Sequence, residues 1–412
     1  MKFEEYRIAD GIKASISQLG YKKPTDIQYK SIPAILKGED VLAIAQTGTG
    51  KTAAFAIPIL HLLSERKSMK LRPDGVKCLV MAPTHELAQQ IEGVFRKLGK
   101  NTRLNILCIH GGVDQEPQIK KLNKGVDILI ATPGRMFDLE SQGALRLNRV
   151  EVLVLDEADH MLDLGFIKDI RQLMYHLPKR RQTLFFSATI DEAIKKLAYS
   201  LVTNAIRIQI SPKNPVAKNI EHAVAHVEMD HKRFFLENLI NNDPEKKMLV
   251  FVRTKVRAER VKKALGRVNL NSDTIHSDKE QADREKTMAR FRNGETKVLI
   301  ATDISARGID IPNVEYVINY DLPDSSENYV HRVGRTGRGR EKGQAFSFCA
   351  SEEKDLLKEI EDNLGQPIGR LSLSKGDYQM VLDTTEDTTD NWKQLMKEAE
   401  SSKNNRRKKK KK

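Results

Sequence analysis

Cysteine is scarce in this chain: Cys78, Cys108 and Cys349 are the only three among 412 residues. They are far apart and odd in number, and each sits in an apolar, strand-like stretch. That excludes a disulfide framework or a cysteine-bound metal and predicts small buried hydrophobes in a reducing compartment. Long hydrophobic runs are also missing. None approaches the roughly 18 residues a membrane helix needs. Met1 to Asp10 is polar and mixed in charge, without the apolar core of a secretory signal. A cytoplasmic location with no membrane contact is the expectation.

The apolar share, 39%, is enough for globular folding, and 412 residues are too many for one ordinary core, so two domains are expected. The net charge of +14 suits a polyanionic partner such as nucleic acid. Half of that excess lies in Arg406 to Lys412, all seven of them basic. The body of the chain is only mildly basic, so its partners must be read from motifs.

Strand-like runs alternate with helical patterns in two stretches. The first has strands at 41–45, 78–82, 104–109, 127–132, 152–156 and 183–187. The second has them at 248–252, 297–301, 316–320 and 344–349. Helix-period segments such as Glu86–Leu98, Lys255–Leu265 and Gln281–Phe291 follow many of them. The alternation predicts a mostly parallel sheet with helices on both faces, twice over. Residues 1–210 read as an N-terminal nucleotide-binding domain and 220–369 as a C-terminal domain. The proline-containing, aperiodic segment 211–219 reads as the linker between them. Residues 370–412 lose the pattern and read as a disordered tail ending in the basic run, with a short helix expected near Asn391–Glu398.

Two motifs carry chemistry. Ala45-Gln46-Thr47-Gly48-Thr49-Gly50-Lys51-Thr52 is a glycine-rich turn between a strand and a helix. Gly48 and Gly50 let backbone N–H groups converge on phosphate oxygens, and the helix dipole adds positive potential. Lys51 reaches the β- and γ-phosphates, and the Thr52 hydroxyl ligates Mg²⁺. Four apolar residues, 152–155, then lead into Asp156-Glu157-Ala158-Asp159. Asp156 stands at a strand tip to hold Mg²⁺, directly or through water, and Glu157 to accept a proton from the attacking water.

These residues resemble the DEAD-box ATP-dependent RNA helicases, and within them the bacterial RhlE-like group. The resemblance spans about residues 3–365 and implies an α/β fold of two RecA-like domains, with ATP, Mg²⁺ and RNA as ligands. Gly20-Tyr21-Lys22-Lys23-Pro24-Thr25-Asp26-Ile27-Gln28 resembles the family's adenine-reading segment, with Gln28 on the base edge, Tyr21 stacking on the ring and Phe3 as the isolated upstream aromatic. Ser187-Ala188-Thr189 resembles the element coupling ATP to RNA, though the same residues also read as a helix cap before Asp191. In the second half, Arg335 and Arg338 resemble arginine fingers and Asp310 a ribose contact. His331 and Arg332 look like links between the domains.

The resemblance implies RNA contacts at Pro83, Thr84, Gly111, Gly112, Thr132, Pro133, Gly134, Arg135, Arg253, Thr254, Gln281, Arg284, Thr302 and Asp303. Hydroxyls, glycine N–H groups, helix starts and single arginines suit a sugar–phosphate track. Few aromatics interleave, so the grip is on the backbone and not on stacked bases. One departure stands out: His85 occupies a position where the family usually has Arg, losing a permanent charge and a bidentate fork. The expected function is ATP-dependent local unwinding of short RNA duplexes or remodelling of RNA–protein complexes. An ATP-gated RNA clamp in which unwinding is incidental uses the same motifs. Proteins of ribosome assembly or RNA decay are the partners this leaves open.

Overall fold

The computed structural model describes residues 2–46, 48–67, 75–210, 216, 219–306, 314–337, 342–371 and 374–384. Fourteen strands build two sheets. The first holds β1 (Val41–Ala45), β2 (Cys78–Met81), β3 (Ile106–Ile109), β4 (Ile128–Ala131), β5 (Val152–Leu155), β6 (Gln182–Ser187) and β7 (Ile206–Ile210). The second holds β8 (Ile220–His226), β9 (Met248–Phe251), β10 (Ser272–Ile275), β11 (Val298–Ala301), β12 (Tyr316–Asn319), β13 (Gly343–Cys349) and β14 (Gly369–Arg370).

The strand order is β3-β4-β2-β5-β6-β1-β7 in the first sheet and β10-β11-β9-β12-β13-β8-β14 in the second. Adding seven to each number of the first order gives the second, so one topology occurs twice. Every ladder is parallel. Alternate residues of one strand serve opposite faces. Val41, Ala43 and Ala45 join one core while Leu42 and Ile44 join the other. In the second sheet Leu249 and Phe251 face one core and Met248 and Val250 the other. Helices cover both faces, which is why the strands read as unbroken apolar runs. The loops that matter leave the C-terminal strand ends, where such sheets hold ligands. This is the two-domain RecA-like fold the resemblance implies.

Four strands have weaker sequence signals. β7 and β8 are amphipathic; Ile206 in β7 is 41% exposed. β14 has only two residues. β10 is polar in sequence yet fully buried. Its Asp273 accepts from the Thr296 hydroxyl, and its Thr274 hydroxyl donates to Glu259. Those bonds make a polar strand affordable inside the fold.

The expected disorder after residue 369 is corrected in part. Lys375–Thr384 is a helix, and its Tyr378 ring packs 4.9 Å from Phe235 and lies 2.9 Å by its hydroxyl from His231 Nδ1. One aromatic anchor supplies the burial that the surrounding polar residues lack. The expected helix near Asn391–Glu398 and the basic run lie outside the described residues. So does most of the 211–219 segment, of which Val216 packs into the second sheet's core. Cys78 and Cys349 are buried, Cys108 is half-buried, and burial raises all three thiols, Cys349 to about 11. Among the described residues no helix is long and apolar enough to cross a membrane.

Candidate nucleotide and RNA sites

β1 ends at Ala45 and the chain turns sharply into the Lys51–Lys67 helix. Gly48 and Gly50 take left-handed φ values of 80° and 91°, which a side chain would oppose. The Thr49 hydroxyl closes the turn by donating to the Gln46 carbonyl at 2.7 Å. Lys51 is buried, and its ammonium has no hydrogen-bond partner among the described residues. Such a cation at a helix start is stabilised by phosphate oxygens, so the loop fits a nucleotide. Thr52, next on the helix, is half-buried. Thr47 lies outside the described residues.

β5 delivers Asp156 and Glu157 to its C-terminal end. Glu157 holds a left-handed φ of 52°, a strained conformation for a non-glycine residue and one that clusters at functional sites. Its N–H donates to Asp156 Oδ1 at 3.0 Å. Burial pushes the Asp156 carboxyl up to about 7; Lys51 opposes the rise and Glu157 adds to it. Burial would raise Glu157 too, but His160, Lys51 and Arg335 outweigh it and hold that carboxyl at about 2. The His160 ring nitrogen approaches Glu157 at 3.6 Å, an ion-pair distance and not a hydrogen bond. Lys51 acts on both carboxyls, whereas His160 and Arg335 act on Glu157 alone, so burial prevails at Asp156 and is outweighed at Glu157.

Among the described residues no group of three or more His, Cys, Asp or Glu could hold a metal ion. Thr52 and Asp156 together fit Mg²⁺ only in the way that cation is usually held beside phosphates, by one or two protein oxygens.

Gln28 sits on the phosphate loop. Its Oε1 accepts from the Thr25 N–H at 3.0 Å and its Nε2 donates to the Gly50 carbonyl at 3.1 Å. The carboxamide keeps one more hydrogen and one more lone pair, enough for a base edge. A Cβ at Gly50 would fall 2.5 Å from Gln28 Nε2. Tyr21 is exposed at 38% and can meet a ring. Phe3 is corrected: it is only 2% exposed and packs behind Tyr21, centroids 6.4 Å apart, so it backs the stacking residue.

The second domain closes on this site. Arg335 is buried, donates from Nε to the His331 carbonyl at 3.2 Å, and lies near enough to lower Glu157. His331, half-buried, lines the same small cleft as Arg332 and Arg335. Arg332 differs from its expected linking role. Its guanidinium forks onto Asp303 at 2.5 and 2.6 Å and reaches Asn319 and the Asp321 carbonyl, all within its own domain. It also lies over the Phe251 ring. Asp303, expected to touch RNA, is the acceptor of that fork. Arg338 and Asp310 lie outside the described residues.

Ser187 ends β6 with a fully buried hydroxyl that has no hydrogen-bond partner among the described residues. The Ala188 and Thr189 N–H groups and the Thr189 hydroxyl all converge on Asp159 Oδ2, at 3.0, 3.1 and 3.3 Å. Asp159 thereby ties the acidic motif to the Ser-Ala-Thr loop. The cap of the next helix is Asp191 itself, accepting from Ile194 N–H.

The residues expected on RNA line the C-terminal edges of both sheets. Thr84 and Thr254 cap helices through their hydroxyls. Gly112, Gly134, Arg253 and Thr254 are exposed, and Gly111, Thr302 and Arg135 half-buried. Arg135 donates to the Val113 carbonyl at 2.8 Å, and the Arg253 side chain approaches Asp324 at 3.4 Å. Pro83, Thr132 and Pro133 are buried, so their side chains shape turns and present none of the expected surface. Gln281 and Arg284 meet the first domain instead: Gln281 Oε1 is 3.1 Å from His85 Nδ1, and Arg284 donates to Glu86 at 2.9 and 2.5 Å. Glu86 and Asp159 lie inside motifs of the sequence, but the role of each is legible only in the fold, beside Arg284 and the Ser187-Ala188-Thr189 loop respectively.

A phosphate loop and an acidic pair on one sheet, met by an arginine from a second sheet of identical order, define a nucleoside triphosphatase split across two domains. Residues 25–197 match the DEAD/DEAH box helicase family and residues 231–340 the helicase conserved C-terminal domain. The chain is 37% identical over 395 residues to the DEAD-box ATP-dependent RNA helicase CshA of Bacillus cereus, covering 94% of this chain and 74% of that one. It is 39% identical over 366 residues to RhpA of Helicobacter pylori, covering 88% and 73%. Its structure is similar to S. cerevisiae Dbp5 bound to RNA and ADP BeF3, with a TM-score of 0.81, 29% identity, and coverage of 93% of this chain and 99% of that one. It is likewise similar to the helicase Mss116 bound to ssRNA and UDP-BeF, with a TM-score of 0.82, 29% identity, and coverage of 94% and 82%. The chain belongs to the DEAD-box family of ATP-dependent RNA helicases, and its activity is ATP-dependent RNA unwinding driven by RNA-stimulated ATP hydrolysis.

Proposed function

We propose that the two domains act as a clamp that closes when ATP and single-stranded RNA bind together. Gln28 and Tyr21 take the adenine. The loop from Ala45 to Thr52 takes the phosphates, with Lys51 on the β and γ groups. Thr52 and Asp156 would hold Mg²⁺, which would supply charge neutralisation at the phosphates. Glu157 accepts the proton of the attacking water, and Arg335, with Arg338, stabilises charge on the γ-phosphate. Ser187 and Thr189, tied by Asp159 to the acidic pair, relay closure to the RNA face. Exposed glycines, Thr254, Arg253 and helix starts hold the sugar–phosphate backbone, independent of base sequence. Closure then favours a bent single strand over a regular duplex, and hydrolysis reopens the clamp. An RhlE-like cytoplasmic helicase, with the basic run of 406–412 as an RNA tether and partners in ribosome assembly or RNA decay, extends the same reading.

The observation that supports it most is the contact between the domains beside the site, where Arg284 of the second donates to Glu86 of the first at 2.9 Å and Gln281 meets His85 at 3.1 Å. Release of a short RNA duplex is the test. ATP is expected to drive repeated release, and a non-hydrolysable analogue at most one round per enzyme. Release that stops at one round per enzyme with ATP as well as with the analogue would favour a clamp in which unwinding is incidental.

A further inference from the structure

His85 stands where the two domains touch beside the RNA face, and its bond to Gln281 fixes the hydrogen on Nδ1. Gln281 Nε2 donates to Glu285 at 3.1 Å, so its Oε1 is what faces His85 Nδ1 at 3.1 Å. An oxygen acceptor there requires a hydrogen on Nδ1. The neighbouring ring is His110, centroids 5.1 Å apart. His110 Nδ1 lies 2.9 Å from the Gly111 carbonyl and must donate, and its Nε2 takes the Gln89 amide N–H at 3.0 Å. Both His110 nitrogens are therefore matched in the neutral ring.

We propose that His85 is a positioning residue of the helicase cycle: in its neutral form it fixes the closed clamp by donating across the domain boundary to Gln281, and it does not serve as a cation on the RNA phosphates. The proposal rests on the clamp reading above. A protonated His85 would face His110 from β3 and Arg284 from the Gln281–Asn293 helix. Only Glu86, beside it on its own helix, and Glu285, beyond Gln281, are acidic, and Glu86 is already paired with Arg284. Burial, followed by His110 and Arg284, lowers the affinity of His85 for a proton, outweighing Gln281 and Glu86. When the domains part, Gln281 and Arg284 uncover the ring. Relief of burial, the largest cause, then moves the imidazole towards the ordinary value of about 6.5, although the raising bond to Gln281 goes and His110 of its own domain stays. The closed form is then the one that binds the proton less well, so closure weakens as pH falls through that value.

The test is RNA affinity of the full chain, measured with single-stranded RNA and a non-hydrolysable ATP analogue at pH 7.5 and pH 6.0. The His85 contribution is a loss of up to about fourfold on acidification, from an open-state value near 6.5. His85→Asn keeps an N–H near the Nδ1 position and does not titrate. It is expected to bind as wild type at pH 7.5 and to lack that part of the decline. At pH 7.5, His85→Ala and Gln281→Ala are expected to be non-additive in a double-mutant cycle. If the variants fold poorly, calorimetry of the wild type in buffers of different ionisation heat is the second measurement. Closure at pH 6.5 should release up to about half a proton. An identical pH slope in wild type and His85→Asn overturns the proposal while leaving the clamp intact. Affinity that rises on acidification through His85 also overturns it, making the residue a phosphate contact. No effect of the analogue on RNA affinity at any pH overturns the clamp, and the proposal with it.

Discussion

Glu157→Gln is expected to slow RNA-stimulated ATP hydrolysis by about 10²–10⁴-fold, the usual worth of a positioned general base, with binding of ATP and RNA retained. The amide has the shape of the carboxylate and fits the same left-handed position at the end of β5, so the loop keeps its form. What is lost is a base kept ionised by His160, Lys51 and Arg335 against the effect of burial. Asp156 is not placed to replace it, because its Oδ1 is engaged by the Glu157 N–H and we assign that carboxylate to Mg²⁺. Single-turnover hydrolysis separates chemistry from binding. Turnover within a few-fold of wild type would remove Glu157 from the role.

Arg335→Ala is expected to lower RNA-stimulated hydrolysis on the order of 10³-fold, the lower range for an arginine finger. RNA binding without nucleotide should be little changed. The residue is held from behind by the His331 carbonyl, so its guanidinium is presented towards the first domain at small entropic cost. Lys is not expected to rescue, since an ammonium lacks the planar fork. The measurement is steady-state ATPase with saturating RNA. An Arg335→Ala enzyme that retains RNA stimulation would place the catalytic charge elsewhere.

What could be read from the sequence was local. The phosphate loop, the acidic pair and ten of the strands are short-range patterns of apolar run, turn and helix start. Contacts across the chain were not legible. His85 and Gln281 are 196 positions apart, Glu86 and Arg284 are 198 apart, and no local pattern in one names the other. Arg332 resembles a link between the domains, yet the fold buries it on Asp303 and Asn319 of its own domain, because a guanidinium leaving water needs its donors matched. Phe3 was legible as an aromatic belonging to the base site but not as its backing, since burial depends on where the chain start packs. β10 was hidden because its polar side chains are satisfied by residues from other elements, and the Lys375–Thr384 helix because its anchor, Tyr378, is a single ring.

The central claim is that ATP and RNA favour one closed arrangement of the two domains. Reciprocal binding tests it most directly. Affinity for a single-stranded RNA is measured with and without a non-hydrolysable ATP analogue, and affinity for the analogue with and without RNA. Two ligands sharing one closed state must strengthen each other by the same factor, within the roughly 5–150-fold range of such couplings. That is the predicted result. Equal RNA affinity in the presence and absence of the analogue would mean the two sites do not share a closed state, and would contradict the account.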